Sequence, residues 1–243
     1  MLVIEMEEEE AQEFLYQKCF CEENVWHLVQ HERLRNRRVN VAIVSNAAKK
    51  VAVWRQKASK RSDQLVVWDY HVIAFASPCV KDPVETTEVD PDRSGSEGSE
   101  RPFHKMDPSW EVWDLDSTLG FPVPVVRYIR SSFVYTDPSA QVNVPDVFKA
   151  TLRLMTRERF VRLFSSDRSH MRNADGTWKA DPPSWEPIFS PEKGNVLFSR
   201  FVDMSEPPRR SLAQKTDPSP SSLVHSVDPF HHDELVRVDR LFL

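Results

Sequence analysis

Glycine is scarce in this chain, with 5 among 243 residues. No glycine-rich phosphate loop, of the Walker or the dinucleotide kind, can be assembled from so few. Cysteine is sparser still: Cys19, Cys21 and Cys79 complete the set. Neighbours in a C-x-C pair rarely bridge each other, and an odd count fits no disulfide framework. A reducing compartment is therefore expected, cytoplasmic and also nuclear. C-x-C without a second cysteine pair is poor ligand spacing, so no metal is expected. No apolar run approaches the roughly 20 residues that a membrane helix needs. The opening MLVI is short and is followed by glutamates at 5 and 7–10, the wrong charge for a secretory leader. Excess positive charge is also missing: the net charge is -5 and the mean hydropathy -0.50. Neither a membrane nor a nucleic acid is expected as a partner.

Proline, in contrast, reaches 18, and its distribution divides the chain. Residues 1–13 read as an acidic, mobile leader. Residues 14–205 read as a single catalytic domain, large enough for one substantial core. Within it, residues 78–108 are rich in Pro, Ser, Glu and Asp around SGSEGSE, too polar to order themselves, and are expected to form a disordered insertion. Residues 206–243 form a Pro/Ser-rich C-terminal segment whose last ten residues suit a terminal strand or helix.

Between these segments, the spacing of Val25, Leu28 and Val29 predicts a helix from about Cys21 to Arg35. Its basic end, Arg33, Arg35, Arg37 and Arg38, reads as a solvated face. Residues 39–45 and 51–56 read as strands about a turn, and 65–76 is the longest β signal. Period-two geometry there places Val67, Asp69, His71, Ile73 and Phe75 on one face. Residues 110–115 read as the next strand, with Val112, Asp114 and Asp116 sharing a face. A helix over 125–133, a strand over 150–155 and a helix capped by Thr156 follow.

Cys21 sits where a loop feeds a helix. A thiolate there gains from exposed backbone N–H groups, which lower its pKa and prepare a nucleophile; a small core hydrophobe is the alternative reading. His71, a polar group on an apolar strand face, is a satisfied core histidine or a catalytic base. Should strands 65–76 and 110–115 pair, Asp114 becomes a neighbour of His71, and Cys21, His71 and Asp114 form a minimal cysteine-hydrolase triad. Asp69 and Asp116, which share faces with His71 and Asp114, are the candidate substrate-binding carboxylates.

Four blocks carry a more specific pattern: CFCEENVW at 19–26, WDYHV at 68–72, WDLDS at 113–117 with Phe121-Pro122, and SDRSHM at 166–171. In this order they resemble the signature blocks of protein N-terminal glutamine amidohydrolases, and GTW at 176–178 and Pro182-Pro183 resemble that family too. The resemblance covers about 16–204. It implies an α+β, papain/transglutaminase-like fold whose N-terminal helix carries the nucleophile against an antiparallel sheet. It also implies a monomer without cofactor. The implied reaction converts the N-terminal glutamine of proteins or peptides to glutamate with release of ammonia, through a thioester. That reaction feeds the arginylation branch of the N-degron pathway, whose components are the implied partners. The family's nucleophile, base and acid fall on Cys21, His71 and Asp114. The chain departs from the family pattern in its longer 78–108 stretch and in its C-terminal segment. The competing readings are another papain-like acyl-transfer enzyme, such as a peptidase or transglutaminase, and a catalytically silent interaction protein.

Overall fold

The computed structural model describes residues 14–79, 107–190, 201–204 and 234–241. The expected acidic leader, most of the expected insertion and the Pro/Ser-rich run after 206 lie outside the described residues.

β1 (Val39–Ser45) is buried along its whole length. Its alternating residues serve two layers: Val39, Val41 and Ile43 enter one core, and Ala42 and Val44 enter the other. That pattern belongs to a central strand covered on both faces. β1 pairs antiparallel with β4 (His71–Ala76) on one side and β7 (Thr151–Thr156) on the other. β5 (Glu111–Trp113) and β6 (Val123–Pro124) extend the sheet beyond β4, and β8 (Glu234–Arg237) extends it beyond β7. The result is an antiparallel sheet in the order β6-β5-β4-β1-β7-β8. β2 (Val51–Val53) and β3 (Val66–Trp68) form a separate two-stranded ribbon. The C-terminal residues thus return to the sheet edge as a strand, and Val238 and Leu241 bury beside it.

Helices cover both faces of the sheet. α1 (Cys21–Leu28) and α3 (Arg157–Leu163) send Val25, Leu28, Phe160 and Leu163 into the first core. α2 (Val125–Ser132) sends Val125, Tyr128 and Ile129 into the second. The architecture is α+β. Thr156 caps α3 as expected, its side chain accepting from the Arg159 N–H. Among the described residues no helix is long and apolar enough to cross a membrane.

Three expectations need correction. The first helix stops at Leu28, because His31 takes extended backbone and its side chain accepts the Arg33 N–H, starting a separate 3-10 turn at Glu32–Leu34. The long strand signal at 65–76 is two strands in two sheets. Asp69 accepts the Tyr70 N–H with its carboxylate and the Ser45 hydroxyl with its carbonyl, and the chain bends there. The bend breaks the period of two, so Trp68 and His71 stack face to face, with ring centres 5.5 Å apart. Third, the basic cluster is more than a solvated face: Arg33, Arg35 and Arg38 are exposed as expected, but three of the four guanidinium groups also lie over aromatic rings. Arg33 and Arg37 lie over the Trp113 ring at 5.4 and 5.5 Å, Arg38 lies over Trp110, and Arg37 also pairs with Glu111. These guanidinium groups close the sheet end by cation–π contact and are committed to the fold.

Candidate active site

The first turn of α1 spells out four different tasks. Cys21 opens the helix, with Phe20 at the cap position making no side-chain cap bond. Asn24 reaches back to the preceding loop, accepting the Gln17 N–H and donating to its carbonyl, both at 2.8 Å. Glu23, 1% exposed, receives both arms of Arg168 at 2.8 and 2.7 Å and the Trp185 indole N–H at 2.7 Å. Glu22 points instead at the nucleophile, with a carboxylate oxygen 3.6 Å from Cys21 Sγ. The position of the Cys21 thiol is therefore fixed by the residues that follow it on the helix.

His71 opens β4, and Asp114 follows the end of β5, the two strands pairing as the sequence reading required. His71 Nε2 donates to Asp114 Oδ1 at 2.9 Å, and both side chains are 1% exposed. The other ring nitrogen, Nδ1, is buried without a hydrogen-bond partner among the described residues. The Val72 backbone reaches the Cys21 sulfur by hydrogen bond, so thiol and free Nδ1 occupy the same end of β4. An unoccupied acceptor nitrogen beside a thiol is what a general base needs.

Asp114 is held from several directions. It accepts from the Tyr128 hydroxyl at 2.7 Å, from Gln56 Nε2 at 3.4 Å and from the Asp116 N–H at 3.0 Å. Gln56 in turn accepts the Trp68 indole N–H, and Trp68 covers the imidazole. Tyr128, Gln56 and Trp68 were not singled out by the sequence reading. Tyr128 reads there as one more apolar position of a short helix, and only the folded chain shows its hydroxyl aimed at the acid.

The electrostatics bind the His71 ring to an anionic Asp114. Burial pulls the imidazole pKa down, but the Asp114 charge and hydrogen bond outweigh it and hold the ring above its usual range. Burial pushes Asp114 up, and the His71 charge, with hydrogen bonds from His71 and Tyr128, holds it below the usual carboxylate range. The thiol differs from expectation. Burial pushes Cys21 well above the ordinary thiol range, with Glu22 and Asp116 adding to the effect. The helix start and the Val72 hydrogen bond favour the thiolate, but less strongly than desolvation beside carboxylates disfavours it.

Of the five candidate residues, four converge. Asp116 is buried, accepts the Tyr16 hydroxyl at 2.6 Å, and is kept above the usual carboxylate range by burial. Asp69 lies exposed on the bend, its carboxylate on the Tyr70 N–H. His71, Asp114 and Asp116 place one ligating atom each within 4.8 Å of the others, the described residues closest to a cation site. The nitrogen and oxygen nearest one another there form the His71–Asp114 hydrogen bond, an acid–base arrangement. His27 is half-buried against Trp185. His170 meets the Tyr70 hydroxyl at 3.3 Å, which brings the SDRSHM block to the site's edge.

The sequence model of a family described as N-terminal glutamine amidase matches residues 16–217. A protein N-terminal glutamine amidohydrolase of Arabidopsis thaliana is 33% identical over 202 residues, 81% of this chain and 78% of its own. One of Caenorhabditis elegans is 31% identical over 196 residues, covering 81% and 88%. One of Drosophila mojavensis is 33% identical over 194 residues, 78% of each chain.

Proposed function

This chain belongs to the N-terminal glutamine amidase family, and we propose that it converts the N-terminal glutamine of proteins and peptides to glutamate through Cys21, His71 and Asp114. The observation that carries the reading is the His71 ring itself: Nε2 is bound to a buried carboxylate, and Nδ1 is left free at the end of β4 where the Cys21 thiol lies. His71 Nδ1 takes the thiol proton as the sulfur attacks the side-chain carboxamide carbon. The carbon–nitrogen bond then breaks, His71 returns the proton to the departing nitrogen, and ammonia leaves a γ-glutamyl thioester. A water, deprotonated by the same Nδ1, attacks the thioester, the carbon–sulfur bond breaks, and the proton restores the thiol. Uncapped N–H groups at the start of α1 stabilise the oxyanion in both halves.

A helix-borne cysteine packed on an antiparallel sheet, with histidine and aspartate on adjoining strands, supports assignment to the papain/transglutaminase-like folds. The product would be an N-terminal glutamate, the substrate class of arginylation, which supports a role in the N-degron pathway. The free thiols suit a cytoplasmic or nuclear setting.

Asp116 and Asp69 serve substrate binding at two depths. The charge of Asp116 acts on both Cys21 and His71, at the floor, while Asp69 offers an exposed charge at the rim. Asp116→Asn is expected to cost on the order of 10-fold in kcat/KM, and Asp69→Asn a few-fold, confined to KM. Steady-state kinetics on a Gln-initiated peptide measures both; an unchanged KM would dismiss Asp69.

The decisive test of the function is ammonia release and the amide-to-acid mass change on Gln-initiated, Asn-initiated and internal-Gln peptides. Turnover of the first alone is expected. Peptide cleavage or cross-linking would assign a different acyl-transfer enzyme, and no turnover by folded protein would turn the reading toward an interaction role.

A further inference from the structure

Of the two carboxylates that oppose the Cys21 thiolate, Glu22 has the larger effect and touches the sulfur itself. Its side chain is 3% exposed, yet it is a carboxylate one residue from the nucleophile. Burying a charge without a counter-charge is costly, and buried carboxylates are normally paired with cations. Glu23, its neighbour, has Arg168. Among the described residues no lysine or arginine pairs with Glu22. Its partners are its own backbone N–H, the Cys21 thiol and the Tyr70 hydroxyl, all neutral donors. An anion in that position also opposes formation of the thiolate that the reaction requires.

Both costs disappear if the substrate supplies the missing cation. We propose, building on the amidohydrolase reading, that Glu22 is the receptor for the α-ammonium group of the substrate and that pairing with it switches on the Cys21 nucleophile. The dimensions fit. In glutamine the α-nitrogen and the carboxamide carbon are separated by four bonds, about 5 Å when extended. A residue whose ammonium sits at hydrogen-bond distance from Glu22 can set its carboxamide carbon against a sulfur only 3.6 Å from that carboxylate. An internal glutamine, or one with an acylated α-nitrogen, brings no cation. It leaves Glu22 as an uncompensated anion beside the sulfur, and the same residue that rewards the right substrate rejects the wrong ones. Terminal specificity is then enforced in the nucleophile's own reactivity and not only in the shape of the pocket.

The charged and titratable groups facing Glu22 are known from each packed element: Cys21 and Glu23 on its own helix, Tyr70 and His71 at the start of β4, and Arg168 from the segment after α3. Only Arg168 among these is a fixed cation, and Glu23 holds it. Burial lifts the Glu22 carboxyl to about 7, with the Glu23 charge adding to the effect. A carboxyl raised in the folded state favours the fold fully below its unfolded pKa and loses that advantage as pH rises through 7. Glu22→Gln lacks this loss, so its melting temperature at pH 8 is expected to equal or exceed that of the wild type.

The test compares wild type, Glu22→Gln and Glu22→Asp on a Gln-initiated peptide and on its N-acetylated counterpart, alongside the pH dependence of iodoacetamide alkylation at Cys21 without substrate. Glu22→Gln is expected to lose on the order of 100-fold in kcat/KM on the free-amine peptide and to gain rate on the acetylated one, so that the preference for a free amine collapses. Its alkylation midpoint is expected to fall by about one pH unit, because a neighbouring anion is gone. Glu22→Asp, which keeps the charge, is expected to regain part of the discrimination. Equal losses on both peptides, or an unmoved alkylation midpoint, would overturn the proposal. Alkylation needs no turnover, so a wild type inactive on both peptides would refute the amidohydrolase reading separately.

Discussion

Cys21→Ala protein is expected to fold and to release no ammonia from a Gln-initiated peptide, and Asp114→Asn protein to retain about one part in ten thousand of wild-type kcat. The first follows because the Cys21 thiol is the one that the Val72 backbone binds, at the end of β4 where the free Nδ1 of His71 lies. Alanine at a helix start beside Val25 and Val72 removes little from the core. The second rests on the direction of one hydrogen bond. Asp114 Oδ1 accepts from His71 Nε2, which keeps the proton on that nitrogen and leaves Nδ1 as a base. Asparagine at 114 can turn its NH2 toward the ring, stabilise the opposite tautomer and put a proton where the base should be. It also removes the charge that holds the imidazole above its ordinary pKa. The acid limb of the pH–kcat/KM profile should therefore move to lower pH in Asp114→Asn, as measured by initial rates between pH 5 and 9. A loss of rate with the limb unmoved would assign Asp114 a purely structural part. Wild-type turnover surviving in Cys21→Ala would remove the nucleophile from the mechanism altogether.

The three positions proposed as a triad were legible as candidates because each carries a local signal: a cysteine before a helical apolar stripe, a histidine on an apolar strand and an aspartate at the end of another. The pairing of β4 with β5, on which their convergence depends, was legible only as a condition, since strand partners are chosen by the whole sheet. Single-residue events were harder to see. The bend at Asp69 and Tyr70 interrupts a stretch that reads as one continuous strand, because a side-chain oxygen and Ser45 capture its backbone groups. The bend also moves Trp68 onto the imidazole, so the period-two assignment of faces fails at that point. The arginines at 33–38 read as a solvated patch since nothing local announces Trp110 and Trp113, seventy residues onward, as their partners. The thiol's electrostatics were misread for the same reason. Helix-start N–H groups are visible in sequence, but burial depth and the aim of Glu22 are products of the tertiary fold.

Arg168→Ala is expected to destabilise the protein by about 3–5 kcal/mol, more than any single change at the triad. Glu23 is 1% exposed and Arg168 13%, so removing the guanidinium leaves a carboxylate enclosed with the Trp185 indole N–H and little water to replace two charge-assisted bonds. The pair also joins the first turn of α1 to a segment 145 residues later, and Arg168 donates onward to the Trp185 carbonyl. The consequence should therefore reach the nucleophile, with kcat falling alongside stability. Glu23→Gln combined with Arg168→Ala is the informative partner, because a neutral amide can still accept from Trp185 without stranding a charge. The double variant is expected to recover more than half of the lost stability, read from urea midpoints of wild type, both single variants and the double. Arg168→Lys, which keeps the charge but cannot form two parallel bonds, should fall between wild type and Arg168→Ala. Additive losses in the double variant would show that the arginine acts through packing alone. Non-additive recovery would make the Glu23–Arg168 pair the clamp that holds the nucleophile's helix against the sheet.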